Sequence, residues 1–308
     1  MGERPWLKIG TRGSPLALAQ ACETRRLLAA AHGMPEEKIA IVVLKTTGDM
    51  ILDRALSEAG GKGLFTKELD IAQLKGEIDI AVHSSKDLPT LLPDGLEIAG
   101  FLPREDVRDV FISPRARSLR DLPHGALVGT ASLRRQALVK RIRPDLRIGL
   151  LRGNVQTRLA KLESGECDAT LLALAGLKRL GLTDHATEIL SEDDFLPAVG
   201  QGAIGITVRS DDHETKVRLG AILHPATGSA LTLERAYLRV LDGSCRTPIA
   251  GLAKVDGQTV SFRGLIMRVD GSETYETRVA GSVEDAERLG VQAGQDLLAR
   301  APADILAH

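Results

Sequence analysis

The chain has 308 residues, 43% of them hydrophobic and 26% charged, with Lys+Arg 40 against Asp+Glu 41. At that length a single hydrophobic core usually gives way to several, so two or three domains are expected. The mixed composition excludes a disordered chain, and a net charge of −1 supplies no overall field to recruit nucleic acid or anionic lipid. Aromatic residues are only 3%, too few for the stacking platforms of single-strand binders. No apolar run approaches the roughly 18–20 residues that span a bilayer. Cys22, Cys167 and Cys245 are widely spaced and form no C-x-x-C pair, which argues against a disulfide framework or a zinc site. The expectation is a soluble cytoplasmic protein without a protein-bound metal.

In chain order, residues 6–12 read as a short strand, and Ser14-Pro15 supply an N-cap and a first-turn proline for a helix. Residues 38–45 form a near-continuous Ile/Val run of the kind buried on both faces of a parallel sheet. A helix is expected over 65–75 and strands over 79–84 and 96–102. The cycle repeats with strands over 126–130, 147–152 and 168–174 and helices over 131–143 and 154–165. Such alternation points to open α/β sheets. After a helix over 227–241, the Asp256-Gly257 and Asp270-Gly271 pairs punctuate three strands between 248 and 280. A capping box at Ser282–Asp285 opens a last helix. The C-terminus is therefore read as a small antiparallel α+β domain.

Charge is uneven despite the neutral total. Between Gly129 and Lys161 nine basic residues stand against Asp145, an excess of eight. A solvated helix face would account for such a run. Several of these residues, however, fall at strand-to-helix junctions, where open α/β sheets bind ligands, and an anionic ligand follows. Gly200-Gln-Gly202-Ala-Ile-Gly205 matches a dinucleotide fingerprint in letters only, because a strand rather than a helix is expected after it. Gly60-Gly-Lys62-Gly63 lacks the spacing of a phosphate loop. The run 79–89 delivers Ser84, Ser85, Lys86 and Asp87 to a strand terminus, where Asp87 serves equally well as a turn cap before Leu88-Pro89. Arg12 and Ser14 stand at a helix N-terminus suited to a carboxylate or phosphate. Cys245 lies between Gly243 and Pro248 in a loop, with Arg246 beside it to favour the thiolate. Cys22 and Cys167 are read as core or near-core thiols.

Seven segments stand in order along the chain: Thr11-Arg-Gly-Ser-Pro-Leu-Ala-Leu18, Gly60-Gly-Lys-Gly-Leu-Phe-Thr-Lys-Glu68, Ala81-Val-His-Ser-Ser-Lys-Asp-Leu-Pro89 and Val128-Gly-Thr-Ala-Ser-Leu-Arg-Arg135. The others are Leu151-Arg-Gly-Asn-Val-Gln-Thr-Arg158, Leu196-Pro-Ala-Val-Gly-Gln-Gly-Ala203, and Glu234-Arg-Ala-Tyr237 continuing through Gly243-Ser-Cys-Arg-Thr-Pro-Ile249. Together they resemble hydroxymethylbilane synthase, the porphobilinogen deaminase family. Ser244 stands where relatives often carry Gly, and Ser85 where they carry Met; neither change removes a functional group.

The resemblance implies two periplasmic-binding-protein-like, doubly wound α/β domains around a cleft (residues 1–102 with 200–222, and 103–199) and an antiparallel α+β domain over 223–308. It implies head-to-tail condensation of four porphobilinogens, each losing ammonia, onto a dipyrromethane primer, followed by hydrolytic release of hydroxymethylbilane. The primer's thioether falls by position on Cys245. Asp87 matches the catalytic carboxylate facing the pyrrole N–H. Ser84, Lys86, Ser132, Arg134 and Arg135, with Asp87, match positions holding the cofactor. Arg12, Ser14, Arg152, Arg158 and Arg179 match positions holding substrate, and Lys62 and Phe65 a mobile loop. No metal is implied, and no nucleic-acid or membrane partner. The resemblance implies a monomer whose product is used by uroporphyrinogen-III synthase. The alternative is a non-enzymatic two-domain anion-binding protein, which has no use for a third domain carrying an exposed cysteine.

Overall fold

The computed structural model describes residues 5–47, 65–243 and 247–305. The chain opens with β1 (Leu7–Arg12), α1 (Pro15–Ala31), β2 (Ile39–Leu44), α2 (Lys67–Leu74), β3 (Ile80–Ser84) and β4 (Leu96–Phe101). Next come β5 (Asp109–Ile112), β6 (Leu127–Gly129), α3 (Leu133–Ile142), β7 (Arg147–Gly149), α4 (Val155–Glu163), β8 (Ala169–Ala173), α5 (Leu174–Leu180) and β9 (Glu188–Ile189). The last part holds β10 (Ile204–Arg209), α6 (His213–Gly220), α7 (Pro225–Val240), β11 (Ile249–Asp256), β12 (Thr259–Met267), β13 (Thr274–Ser282) and α8 (Ala286–Arg300). Four of these helices, α1, α3, α4 and α6, are started by side-chain caps. Ser14 Oγ accepts the Ala17 N–H, and Asn154 Oδ1 accepts the Thr157 N–H at 2.9 Å.

The described residues divide into two compact units: 5–47, 65–104 and 203–228 form one, and 105–202, 229–243 and 247–305 the other. The first unit is built on a five-stranded sheet of order β2-β1-β3-β10-β4. In it β1 runs parallel to β2 and β3, whereas β10 runs antiparallel to β3 and β4. Its core joins Leu7 and Ile9 of β1 and Ile80 and Val82 of β3 to Leu28 of α1. The expected burial of residues 38–45 on both faces is corrected here. β2 is an edge strand, mostly half-buried, with Val43 51% exposed. A continuous apolar run does not by itself distinguish an edge strand from a central one.

The second unit repeats the pattern with a sheet of order β7-β6-β8-β5-β9. Here β6 is parallel to β7 and β8, and β5 is antiparallel to β8 and β9. β5 and β9 are short strands that the apolar pattern did not announce. β11, β12 and β13 make the expected antiparallel meander, with the first hairpin turned at Gly257 (φ +57). Ala250, Leu252, Leu265 and Met267 of this meander share one core with Ala137, Leu138 and Phe195. At the second hairpin Gly271 (φ +75) lies against α3 so closely that a Cβ would stand 2.5 Å from the Arg141 nitrogen. Ser282 does cap, but it starts a single 3₁₀ turn, Val283–Asp285, and α8 begins only at Ala286. Among the described residues no helix is long and apolar enough to cross a membrane.

Candidate active site

In the first unit β1 and β3 are parallel neighbours, so their carboxyl ends emerge side by side. β1 ends on Arg12, followed by the helix cap Ser14. β3 ends on Ser84 and leads into one 3₁₀ turn, Ser85–Asp87, closed when the Leu88 N–H donates to the Ser85 carbonyl at 3.2 Å. These two short exits set Arg12 Nη1 3.9 Å from Asp87 Oδ2, with both side chains part-exposed at 20% and 32%. The Arg12 guanidinium also lies 4.2 Å from the centre of the Phe65 ring, a cation–π contact. Gln20, which is buried, donates from Nε2 to Ser84 Oγ at 2.9 Å and fixes that hydroxyl. Ser85 Oγ is buried without a hydrogen-bond partner, and Lys86 is half-buried.

Behind this edge His83 is buried, with Nε2 3.4 Å from Thr207 Oγ1, which in turn donates to Gln73 Oε1 at 2.9 Å. Burial, and secondarily the Arg12 cation, pushes the imidazole down to about 4 from its ordinary 6.5. Between those values the unfolded chain binds a proton that the folded chain refuses, so protons favour unfolding. Folding stability is therefore expected to be complete above about pH 6.5 and to fall as pH drops toward 4, by ~3 kcal/mol from this group. Denaturant titrations of the parent and of His83→Gln at pH 7 and 4.5 measure it. An unchanged pH difference in the variant would assign the effect to other groups.

In the second unit β6, β7 and β8 are likewise parallel and end at one edge. Ser132 caps α3, its Oγ accepting the Arg135 N–H. Arg152 and Arg158, both half-buried, follow β7; Gly153 (φ +120) turns the chain between Arg152 and α4. Arg179 stands near the end of α5 and donates to the Gly202 carbonyl at 3.2 Å. Gly202 itself (φ +86) has no room for a Cβ, which would lie 2.4 Å from the Glu105 carbonyl oxygen.

Arg134 and Arg135 are the most enclosed lysine or arginine side chains among the described residues, 4% and 6% exposed. Both reach Asp109, which is fully buried. Arg134 Nη2 donates to Asp109 Oδ2 at 2.7 Å, and Arg135 donates from Nε and Nη2 to Oδ1 at 3.1 and 2.7 Å. Burial holds the Arg134 guanidinium below its ordinary basicity, and its Nε has no hydrogen-bond partner.

Much of the basic excess between 129 and 161 is engaged by the protein itself. Arg143 is paired with Asp145 at 2.7 Å, Lys161 with Glu166 at 3.6 Å, and Lys140, Arg141 and Arg147 donate to backbone carbonyls. Of these partners only Glu166 is an acid outside the sequence window; with Asp109 it brings the net charge of the cluster below the excess of eight. One further correction concerns a thiol outside this edge. Cys22 is exposed, because the buried stripe of α1 runs through Ala17, Gln20, Ala21, Thr24 and Leu28 and leaves position 22 one step aside. Asp109, Gln20 and Gln201 escaped the sequence reading; the only available sign was an acidic residue opening the apolar run Val110–Ile112. Cys167 is buried as expected, and burial raises its thiol. Cys245 and Lys62 lie outside the described residues. Among the described residues no group of three His, Cys, Asp or Glu side chains could hold a metal ion.

Comparison with known proteins matches residues 7–217 to the family described as "Porphobilinogen deaminase, dipyromethane cofactor binding domain" and residues 229–299 to its C-terminal domain. The chain belongs to the porphobilinogen deaminase family. A porphobilinogen deaminase of Nitrobacter winogradskyi is 61% identical over 293 residues, 95% of this chain and 93% of the relative. That of Nitrobacter hamburgensis is 60% identical over the same span. A periplasmic substrate-binding protein from Coxiella burnetii shows a weak likeness, at 15% identity and TM-score 0.43 over 72% of this chain and 93% of that one. As a porphobilinogen deaminase the chain is a transferase that makes hydroxymethylbilane from porphobilinogen and carries a dipyrromethane cofactor. Family membership removes the alternative of a non-enzymatic anion-binding protein.

Proposed function

We propose that Asp87 is the catalytic carboxylate of this deaminase and that Cys245 holds the dipyrromethane through a thioether. The observation that carries the first part is the Arg12–Asp87 pair, 3.9 Å apart and part-exposed at neighbouring strand ends. Loss of ammonia from porphobilinogen leaves positive charge shared into the pyrrole ring. A fixed carboxylate near the pyrrole N–H stabilises that charge as it develops, without reorganising solvent. Asp87 also accepts and returns protons at the pyrrole nitrogen. Arg12 keeps the carboxylate in place, and its guanidinium is itself held against the Phe65 ring.

The residues present fit the cofactor. Its acetate and propionate arms are carboxylates, and in Arg134 and Arg135 two guanidiniums share one protein carboxylate, with Arg134 Nε still unsatisfied. Together with Ser84, Lys86 and Ser132 they are proposed to bind those arms through charge-assisted hydrogen bonds. When bound, the cofactor supplies the pyrrole carbon onto which substrate units are joined. Arg12, Ser14, Arg152, Arg158 and Arg179 are proposed to bind the carboxylates of incoming porphobilinogen, for which an Arg fork is the matched geometry. We further propose that the enzyme acts as a cytoplasmic monomer and that its linear product passes to uroporphyrinogen-III synthase. The chemistry of an unstable linear tetrapyrrole supports a prompt ring-closing consumer.

Intact-mass spectra of variants given limiting porphobilinogen test these assignments. Arg134→Leu and Arg135→Leu are expected to lack the cofactor mass or gain it slowly. Arg152→Leu and Arg158→Leu are expected to carry it yet stall after it, with substrate affinity lowered about ten- to a hundred-fold. Arg141→Leu and Arg143→Leu, at the far end of α3, are expected to behave as the parent. Equal mild effects at all six positions would show a merely solvated basic surface.

A further inference from the structure

Two guanidiniums side by side in the first turn of α3 are poorly placed on general grounds. They repel each other, they sit at the positive end of the helix dipole, and both are withdrawn from water. The reversed strand β5 answers this. Because β5 runs antiparallel to β8, its first residue, Asp109, lies opposite Ala173 at the edge where β6 and β8 end. Each oxygen of Asp109 serves one guanidinium: Oδ2 takes Arg134 Nη2, and Oδ1 takes Arg135 Nε and Nη2. The Leu196 and Leu171 carbonyls each accept the remaining Nη1 at 2.8 Å. Gln201 orients the carboxylate in turn, donating from Nε2 to Asp109 Oδ1 at 3.2 Å and to the Val107 carbonyl at 2.8 Å.

We infer that Asp109 is the positioning residue of the cofactor cradle: it cancels one of the two arginine charges and fixes both forks, leaving the pair preset for a single further carboxylate. The inference rests on the reading that Arg134 and Arg135 hold the cofactor. It accounts for why both arginines are turned inward and for the donor left over at Arg134 Nε. A buried ion pair kept for stability alone would be an inefficient device, since apolar packing usually does as well.

The test follows cofactor acquisition by intact mass, with thermal melts alongside. Purified apo-protein is given porphobilinogen, and the fraction gaining the cofactor mass is followed in time. Asp109→Asn, which keeps shape and removes charge, is expected to fold and to load at least about tenfold more slowly. Combining it with Arg135→Leu is expected to slow loading by less than the product of the two single effects, because Asp109 acts in part through Arg135 and in part through Arg134; a merely structural residue would add its full decrement. Adding Gln201→Glu to Asp109→Asn returns a carboxylate to a neighbouring side chain of the cluster and is expected to restore most of the loading. If Asp109→Asn does not fold, this double variant carries the test: folded and loading supports the inference, folded and bare overturns it. Failure of both to fold would assign Asp109 to the fold alone and equally overturn it, as would parental loading of folded Asp109→Asn. Parental loading of Arg134→Leu and Arg135→Leu would instead overturn the reading of the arginines.

Discussion

Asp87→Asn is expected to lower hydroxymethylbilane formation by about 10²–10³ or more while the protein melts as the parent does. Asparagine keeps the size and one acceptor oxygen of aspartate but not the negative charge. If Asp87 acts by opposing the cation that develops as ammonia leaves, only the charge matters. The competing role, a turn cap, has little left to do. The 3₁₀ turn at Ser85–Asp87 is closed by backbone, and the Asp87 carboxylate faces Arg12. Steady-state rates with porphobilinogen decide. A variant within a few-fold of the parent would return Asp87 to the role of a turn residue and leave the developing charge to be stabilised elsewhere.

Local chemistry made much of this fold legible. Ser14-Pro15 read as an N-cap and first-turn proline and start α1 in the structure, and the helices expected over 131–143 and 154–165 are α3 and α4, begun one or two residues later at the caps Ser132 and Asn154. Asp256-Gly257 read as a hairpin and turns β11 into β12. Features set by tertiary pairing were not legible. The apolar run of β2 has the composition of a central strand and lies at an edge, because sheet order is decided by crossovers far along the chain. β5 is only four residues long, so no periodicity marks it, yet its reversed direction delivers Asp109 to the arginines. The candidate residues were found by motif, but their electrostatic setting was not. Nothing near positions 134 and 135 in sequence shows that their counter-ion is 25 residues upstream of Arg134. Cys22 shows the same limit on a smaller scale. Gln20 and Thr24 take buried places on α1 that hydropathy would have given to the cysteine.

On the proposed reading, this chain builds its product on a primer that it carries at Cys245. A thioether needs a thiolate nucleophile and cannot form on a serine hydroxyl under the same conditions. Cys245→Ser is therefore expected to fold, to lack the cofactor and to form negligible product, whereas Cys22→Ser and Cys167→Ser keep the cofactor. Intact-mass spectrometry of the parent and the three serine variants, with peptide mapping of the parent, tests this most directly. The expected result is an added mass of two pyrrole units in the parent, mapped to the peptide containing Cys245 and missing only from Cys245→Ser. A parent at its bare sequence mass after incubation with porphobilinogen, or an adduct mapped to Cys22 or Cys167, would contradict it.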